Sequence, residues 1–139
     1  MTTPYYLVSD PKLARAYLNR HFPLRASDQQ KGLVQLRNGE PVAAVLYDEF
    51  TDTNCWMTCA GEGRWLTRDL LYNAFHYPFH TAMLTRVTVW VEANNLASRR
   101  FISHLGFEHE AVLRSAGRGG VDAHIYVLWK SACRFGHPK

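Results

Sequence analysis

The chain has 139 residues, 47% of them hydrophobic and 20% charged, which suits one domain with a sizeable core and excludes a disordered polar tail. No apolar run approaches the roughly 20 residues needed to cross a bilayer, and the start, MTTPYYLVSD, lacks the basic and apolar stretches of a signal peptide; a soluble, cytoplasmic protein is expected. The formal net charge of +4 mildly favours anionic partners, but Lys and Arg are scattered rather than gathered in a tract, which argues against nucleic-acid binding as the main role.

In chain order, residues 5–8 are aromatic and β-branched and read as an edge strand. Ser9 or Asp10 offers an N-cap, Pro11 suits the first helical position, and Leu13, Ala14, Tyr17, Leu18 and His21 recur at helical spacing, so a helix is predicted to about Phe22, before Pro23. From Arg25 to Lys31 the chain is polar and loop-like. Residues 33–37 and 42–50 read as strands joined by the turn signal Asn38-Gly39, and residues 53–59 as a third strand of the same meander. Gly61-Glu62-Gly63 breaks that pattern. A helix is predicted over 66–79, with Leu66, Leu70, Leu71, Ala74 and Phe75 on one face, followed by an apolar, central strand over 87–91. The run NNLASRRFISHLGFEHEAVLR, residues 94–114, has an Asn cap, a helical middle with Leu96, Phe101, Ile102 and Leu105 as its core face, and a Gly106-Phe107 end. Strands over 107–115 and 124–130, joined by GRGG, complete the order β, α, β, β, β, α, β, α, β, β. Helices alternate with strands only in the second half, so the expected fold class is α/β (α+β): a mixed, mostly antiparallel sheet flanked by helices. The whole chain, 1–139, reads as one domain.

Cys55, Cys59 and Cys133 make an odd count, and Cys55 and Cys59 lack the spacing of a zinc knuckle. Buried, reduced thiols are expected, with Cys55 and Cys59 on one face of their strand. His76 and His80 stand four apart, but Pro78 lies between them and no acidic third ligand is near, so packing or surface histidines are expected rather than a metal site.

From about Thr85 to Phe135 the residues carry a resemblance. Asn95, Ser98, Gly106, Phe107, Glu110, Ala111 and Arg114 follow the spacing N-x-x-S, seven residues, G-F, a short gap, E-G and R, with Ala111 in place of the second Gly. The preceding VTVWVEAN and the later Asp122 and Tyr126 fit the same frame. This resembles the GNAT superfamily of acyl-CoA-dependent N-acetyltransferases, closest to the branch acting on ribosomal-protein N-termini. WLTRDLL and YPF more faintly resemble small acetyltransferase-like proteins of bacterial viruses. The first half agrees with the family in element order only.

The resemblance implies acetyl transfer from acetyl-CoA to an amine of a protein or small molecule. It implies a strand, here residues 53–59, that splays from its neighbour and offers the backbone of Met57, Thr58 and Cys59 to pantetheine. The family's pyrophosphate loop pattern, Q/R-x-x-G-x-G/A before the next helix, falls either on Gly61, Gly63 and Leu66, or on Trp65 and Thr67 ahead of Leu70 and Leu71, which loses both glycines. On the second placement Leu66, Thr67, Arg68 and Asp69 stand at the cofactor, and Arg64 or Arg68 would replace glycine contacts with side-chain charge. Asn95, Ser98 and Arg99 would meet the cofactor from the next helix, with Asn95, Ser98 and Tyr126 as candidate catalytic groups. Many family members carry a Tyr acid where this chain has Ile102. Asp48, Glu49 and Asp52 border the expected acceptor side but read first as solvated loop charges, and no base is assigned. The departures at the loop and at Ile102 also fit a CoA-binding or partner-binding protein with little turnover, such as a viral modulator occupying a host protein. Homodimers are common in the family. No metal is expected.

Overall fold

The computed structural model describes residues 5–22, 24 and 26–138. Pro23 and Arg25, expected at the end of the first helix and the start of the following loop, lie outside them. Seven strands form one sheet in the order β1-β2-β3-β4-β5-β7-β6. They are β1 (Tyr5–Ser9), β2 (Lys31–Arg37), β3 (Glu40–Asp48), β4 (Asn54–Gly61), β5 (Arg86–Glu92), β6 (Glu108–Leu113) and β7 (Ala123–Trp129). The helices are α1 (Pro11–Leu18), α2 (Arg68–His76) and α3 (Leu96–Leu105). The predicted element order holds. β4 and β5 run parallel and every other neighbouring pair is antiparallel, so the sheet is mixed and mostly antiparallel.

Local chemistry explains the ends of these elements. Asn38 and Gly39 both have positive φ, 54° and 80°, as a two-residue primed hairpin turn requires. Asp10 caps α1 by accepting the Leu13 N–H at 3.0 Å, with Pro11 in the first turn. α1 stops at Leu18 rather than near Phe22. The predicted helix over 66–79 is divided: α2 starts at Arg68, capped by the Thr67 hydroxyl, and gives way to a π-helical turn, Tyr77–Thr81. Pro78 has no N–H for the Ala74 carbonyl. The Tyr47 hydroxyl donates to that carbonyl instead, at 2.6 Å, and Ala82 N–H reaches back to Tyr77 O at 2.8 Å. α3 ends at Gly106 with φ 108°, where Phe107 N–H bonds Ile102 O at 3.2 Å, a Schellman-type closure.

The core has a layer on each face of the sheet. α1 covers one face through Ala14, Tyr17 and Leu18, against Val34, Ala44 and Leu46. α2 and α3 cover the other, where Leu70, Phe75, Ile102 and Leu105 meet Val45, Cys55, Met57, Val87 and Val89. Leu96, expected on the core face of α3, is 57% exposed; it is the first residue after the cap, where the helix has only begun to turn toward the sheet. Cys55 and Cys59 belong to the same layer, as their spacing predicts, and all three cysteines are free. Among the described residues no cluster of three His, Cys, Asp or Glu could hold a metal ion, and no helix is long and apolar enough to cross a membrane.

Candidate functional site

The two parallel strands part company. β4 and β5 pair only through Asn54 with Arg86, Cys55 with Val87 and Trp56 with Thr88, although β4 runs on to Gly61 and β5 to Glu92. Polar side chains pin the closed end. Thr88 donates to Asn54 Oδ1 at 2.6 Å, and Arg86 reaches both Asn54 and, in bidentate fashion, Glu110 at 2.6 and 2.9 Å. That ion pair holds the Glu110 carboxyl below its ordinary range.

Beyond Trp56 and Thr88 each strand keeps its outer partner and loses its inner one. Glu62 N–H bonds Val42 O, so by the alternation of an antiparallel ladder Thr58 spends its backbone on Leu46 of β3, contrary to the expectation that it would be offered to a ligand, while Met57 and Cys59 turn theirs away from β3. The Met57 N–H closes the last rung on Thr88, which leaves the Met57 carbonyl and the Cys59 backbone facing the gap. Ala93 N–H bonds Asp122 O and Lys130 N–H bonds Thr85 O, which by the same alternation turns the Trp90 backbone into the gap from β5. Buried backbone donors and acceptors require partners, so a sheet opened in this way is prepared to take an extended, amide-bearing ligand as an extra strand.

The gap widens into a cleft of about 1160 Å³. It passes through the sheet: Phe101, Ile102, Ala97 and Ser98 line it on the α3 side, while His21, Phe22, Leu24, Ala116 and Arg118 line it on the α1 side. Trp65 lies across Gly61, where an added Cβ would fall 2.2 Å from the indole, and meets Phe101 with ring centroids 5.9 Å apart.

Of the residues singled out from sequence, Met57, Thr58, Cys59, Leu66, Asn95 and Ser98 line this cleft. Asn95 caps α3, its Oδ1 accepting the Ser98 N–H at 3.2 Å. The half-buried Cys59 thiol is pushed by burial up to about 11, so it stays protonated at neutral pH. Thr67, Arg68 and Asp69 form the start of α2, outside the lining. There the Thr67 hydroxyl already satisfies the Leu70 N–H at 3.1 Å, and Asp69 puts a negative charge in the first turn. Arg99 and Tyr126 meet elsewhere: Arg99 Nε donates to the Tyr126 hydroxyl at 3.1 Å and its Nη1 to Ala93 O at 3.2 Å, beside a smaller depression on the far side of α3. Tyr126 is not among the residues lining the main cleft. Asp48 accepts from Gln30 at 2.8 Å and pairs with Trp56 at the closed end of the strands. Neither it, Glu49 nor Asp52 lines the cleft.

One lining carboxylate was not singled out from sequence: Glu92, the last residue of β5. Its sequence signal is its place, three residues before the Asn95 cap at the end of the central strand.

No family model matches the chain, and no curated protein matches it. Solved structures do. SpeG, a spermidine/spermine N-acetyltransferase from Vibrio cholerae, aligns at TM-score 0.75 over 91% of this chain and 93% of its own, with 13% identity. The N-acetyltransferase PseH from Campylobacter jejuni, in complex with acetyl coenzyme A, aligns at TM-score 0.58 and 10% identity, over 75% of this chain and 70% of its own. A protein described provisionally as an acetyltransferase aligns at TM-score 0.69 and 20% identity over 85% of this chain, which spans 64% of that protein's length. Sheet order, parted parallel strands and these alignments together give the chain the fold of the GNAT acetyltransferases.

Proposed function

We propose that the chain is an N-acyltransferase that moves an acetyl group from acetyl-CoA to an amine of a protein or small molecule. The observation that carries this reading is the parting of β4 from β5 after Trp56 and Thr88, with a cleft that opens on both faces of the sheet. Two reactants can then approach each other through the sheet from opposite sides, which is the positioning a transfer reaction needs.

The fit to acetyl-CoA differs between its two ends. The amides of pantetheine match the open backbone of Cys59 and the Met57 carbonyl, and Phe101 and Ile102 supply apolar walls. The helix end fits the pyrophosphate less well. A free helix N-terminus attracts anions, but that of α2 is closed by Thr67 and carries Asp69. Anion binding then falls to the exposed side chains of Arg64 and Arg68. When bound, acetyl-CoA supplies a thioester carbonyl open to attack by a neutral amine. The chain's part is to align the arm along β4, to exclude water and to manage protons. Ser98 is the hydroxyl on the α3 wall; Asn95 holds the helix start on which it stands.

A second reading is a CoA-binding or partner-binding protein with little turnover. Ile102 favours it, because a buried aliphatic side chain, 5% exposed, stands where many such enzymes carry an acid. A thermal-shift titration with acetyl-CoA and CoA, followed by thiol release with candidate amines, separates the readings. A ligand at 100 times its Kd stabilises by about 2.7 kcal/mol. A shift with amine-dependent thiol release supports transfer, a shift without release supports the second reading, and no shift with either compound overturns both.

A further inference from the structure

On the α1 side the cleft ends in a mouth with a single carboxylate. Glu92 is the only Asp or Glu among the described residues lining the cleft. It is held at several points. Its Oε2 accepts the Trp90 indole N–H at 2.6 Å, its carbonyl accepts the Asn95 N–H at 3.0 Å, and its side chain is 21% exposed. Gly117 closes over it: an added Cβ there would lie 3.2 Å from Glu92 Cγ. Opposite stands Arg118, whose Nε is 3.5 Å from Glu92 Oε1. Arg118 also donates to His21 O at 3.1 Å and lies over the Phe22 ring at 5.8 Å. It thus ties the β6–β7 loop to the chain just after α1, across the mouth. Phe22, Leu24 and Trp90, the last 42% exposed, make the remaining wall apolar and aromatic.

We infer that this mouth is the acceptor subsite and that Glu92 binds the ammonium of the acceptor and takes its proton, selecting amines that carry one positive charge over polycations. This rests on the acyltransferase reading and names its acceptor class. A single partly buried carboxylate beside an indole face suits one ammonium, through a charge-assisted hydrogen bond and the ring quadrupole. A second cationic centre on the same molecule would meet the like charge of Arg118, a repulsion that solvent weakens because that side chain is 58% exposed. The aromatic walls favour an apolar group next to the amine. In the step itself the ammonium passes one proton to the Glu92 carboxylate and the freed nitrogen attacks the thioester carbonyl. The C–N bond forms and the C–S bond breaks, and the second nitrogen proton ends on the departing sulfur. An α-amine, with an ordinary pKa of about 8 against about 10.4 for a lysine-type amine, gives up its proton more readily.

The test uses the full chain and two probes: alanyl-phenylalanine amide, with one ammonium, and spermidine, with several. Each is titrated calorimetrically with and without CoA, and acetyl-CoA affinity is measured separately. The expected result is tighter binding of the peptide amide, a loss of about tenfold to a hundredfold in that binding for Glu92→Gln, and an acetyl-CoA Kd within about twofold of wild type in the same variant. Glu92→Gln keeps an acceptor for the Trp90 N–H, so it leaves the local packing in place. Arg118→Gln is expected to narrow the preference by strengthening spermidine binding. Spermidine binding as tightly as the peptide amide, unchanged peptide binding in Glu92→Gln, or no binding of the peptide amide overturns the inference. Failure of acetyl-CoA to bind overturns the acyltransferase reading instead, and the amine titrations still report on Glu92.

Discussion

Gly61→Ala perturbs the place where β4 leaves the sheet and the loop to α2 begins. Gly61 has an ordinary backbone, so alanine is not excluded by conformation; the obstacle is Trp65, whose ring atoms Cδ2 and Cγ both lie 2.2 Å from the position a Cβ would take. Real Cβ atoms do not approach that closely, so the indole must leave Gly61 and give up its contact with Phe101 at 5.9 Å. Overpacking of this kind costs about 1–3 kcal/mol. In a Trp65→Ala background the obstacle is gone. The same Gly→Ala change then acts mainly on the unfolded chain and stabilises by about 0.4–1 kcal/mol. The double-mutant cycle should therefore show a coupling of about 1.4–4 kcal/mol, the cost in the first background plus the gain in the second, well above the few tenths that independent sites give. Urea unfolding of the wild type, both single variants and the double variant measures it. Additivity within about 0.5 kcal/mol would refute the reasoning and mean that Trp65 does not rest on Gly61 in solution.

Asn95→Ala should lower stability by about 1 kcal/mol, because the Ser98 N–H loses its side-chain acceptor, while Asn95→Gly should cost only a few tenths; urea midpoints at constant m-value check this. If Asn95→Ala also weakens acetyl-CoA binding by more than a few fold, the side chain serves the cleft as well as the helix. The thiols of Cys55 and Cys59, which burial pushes up to about 12 and about 11, should react slowly with a disulfide reagent at pH 8 and rapidly once the chain is unfolded in urea. The sign for stability follows from the raised values: the contribution is full below the unfolded thiol value near 9 and is lost as pH rises from there toward the folded values. Native thiols that react as fast as a free small thiol would contradict the burial of both groups.

The order of elements was legible in the sequence because its signals are local. Asn38-Gly39, Asp10-Pro11 and the Asn95 to Gly106 helix each act within a few residues and appear where they were predicted, whereas the hydrophobic period overran the end of α1 and misplaced Leu96. The division of the helix over 66–79 was not, since the turn at Tyr77–Thr81 depends on Tyr47 reaching the Ala74 carbonyl from another strand. The site divides in the same way. The motif spacing placed Asn95 and Ser98 at a helix start, and the family resemblance pointed to Met57, Thr58 and Cys59 on the strand before α2. Only tertiary structure decided that Arg99 and Tyr126 meet each other on the far side of α3. It also put Glu92, the one Asp or Glu among the described lining residues, opposite Arg118 at the mouth. Side-chain type and spacing fix which residues share a face of one element. Where β4 and β5 stop pairing, and so which groups from distant segments surround the gap, depends on the balance of contacts across the whole sheet.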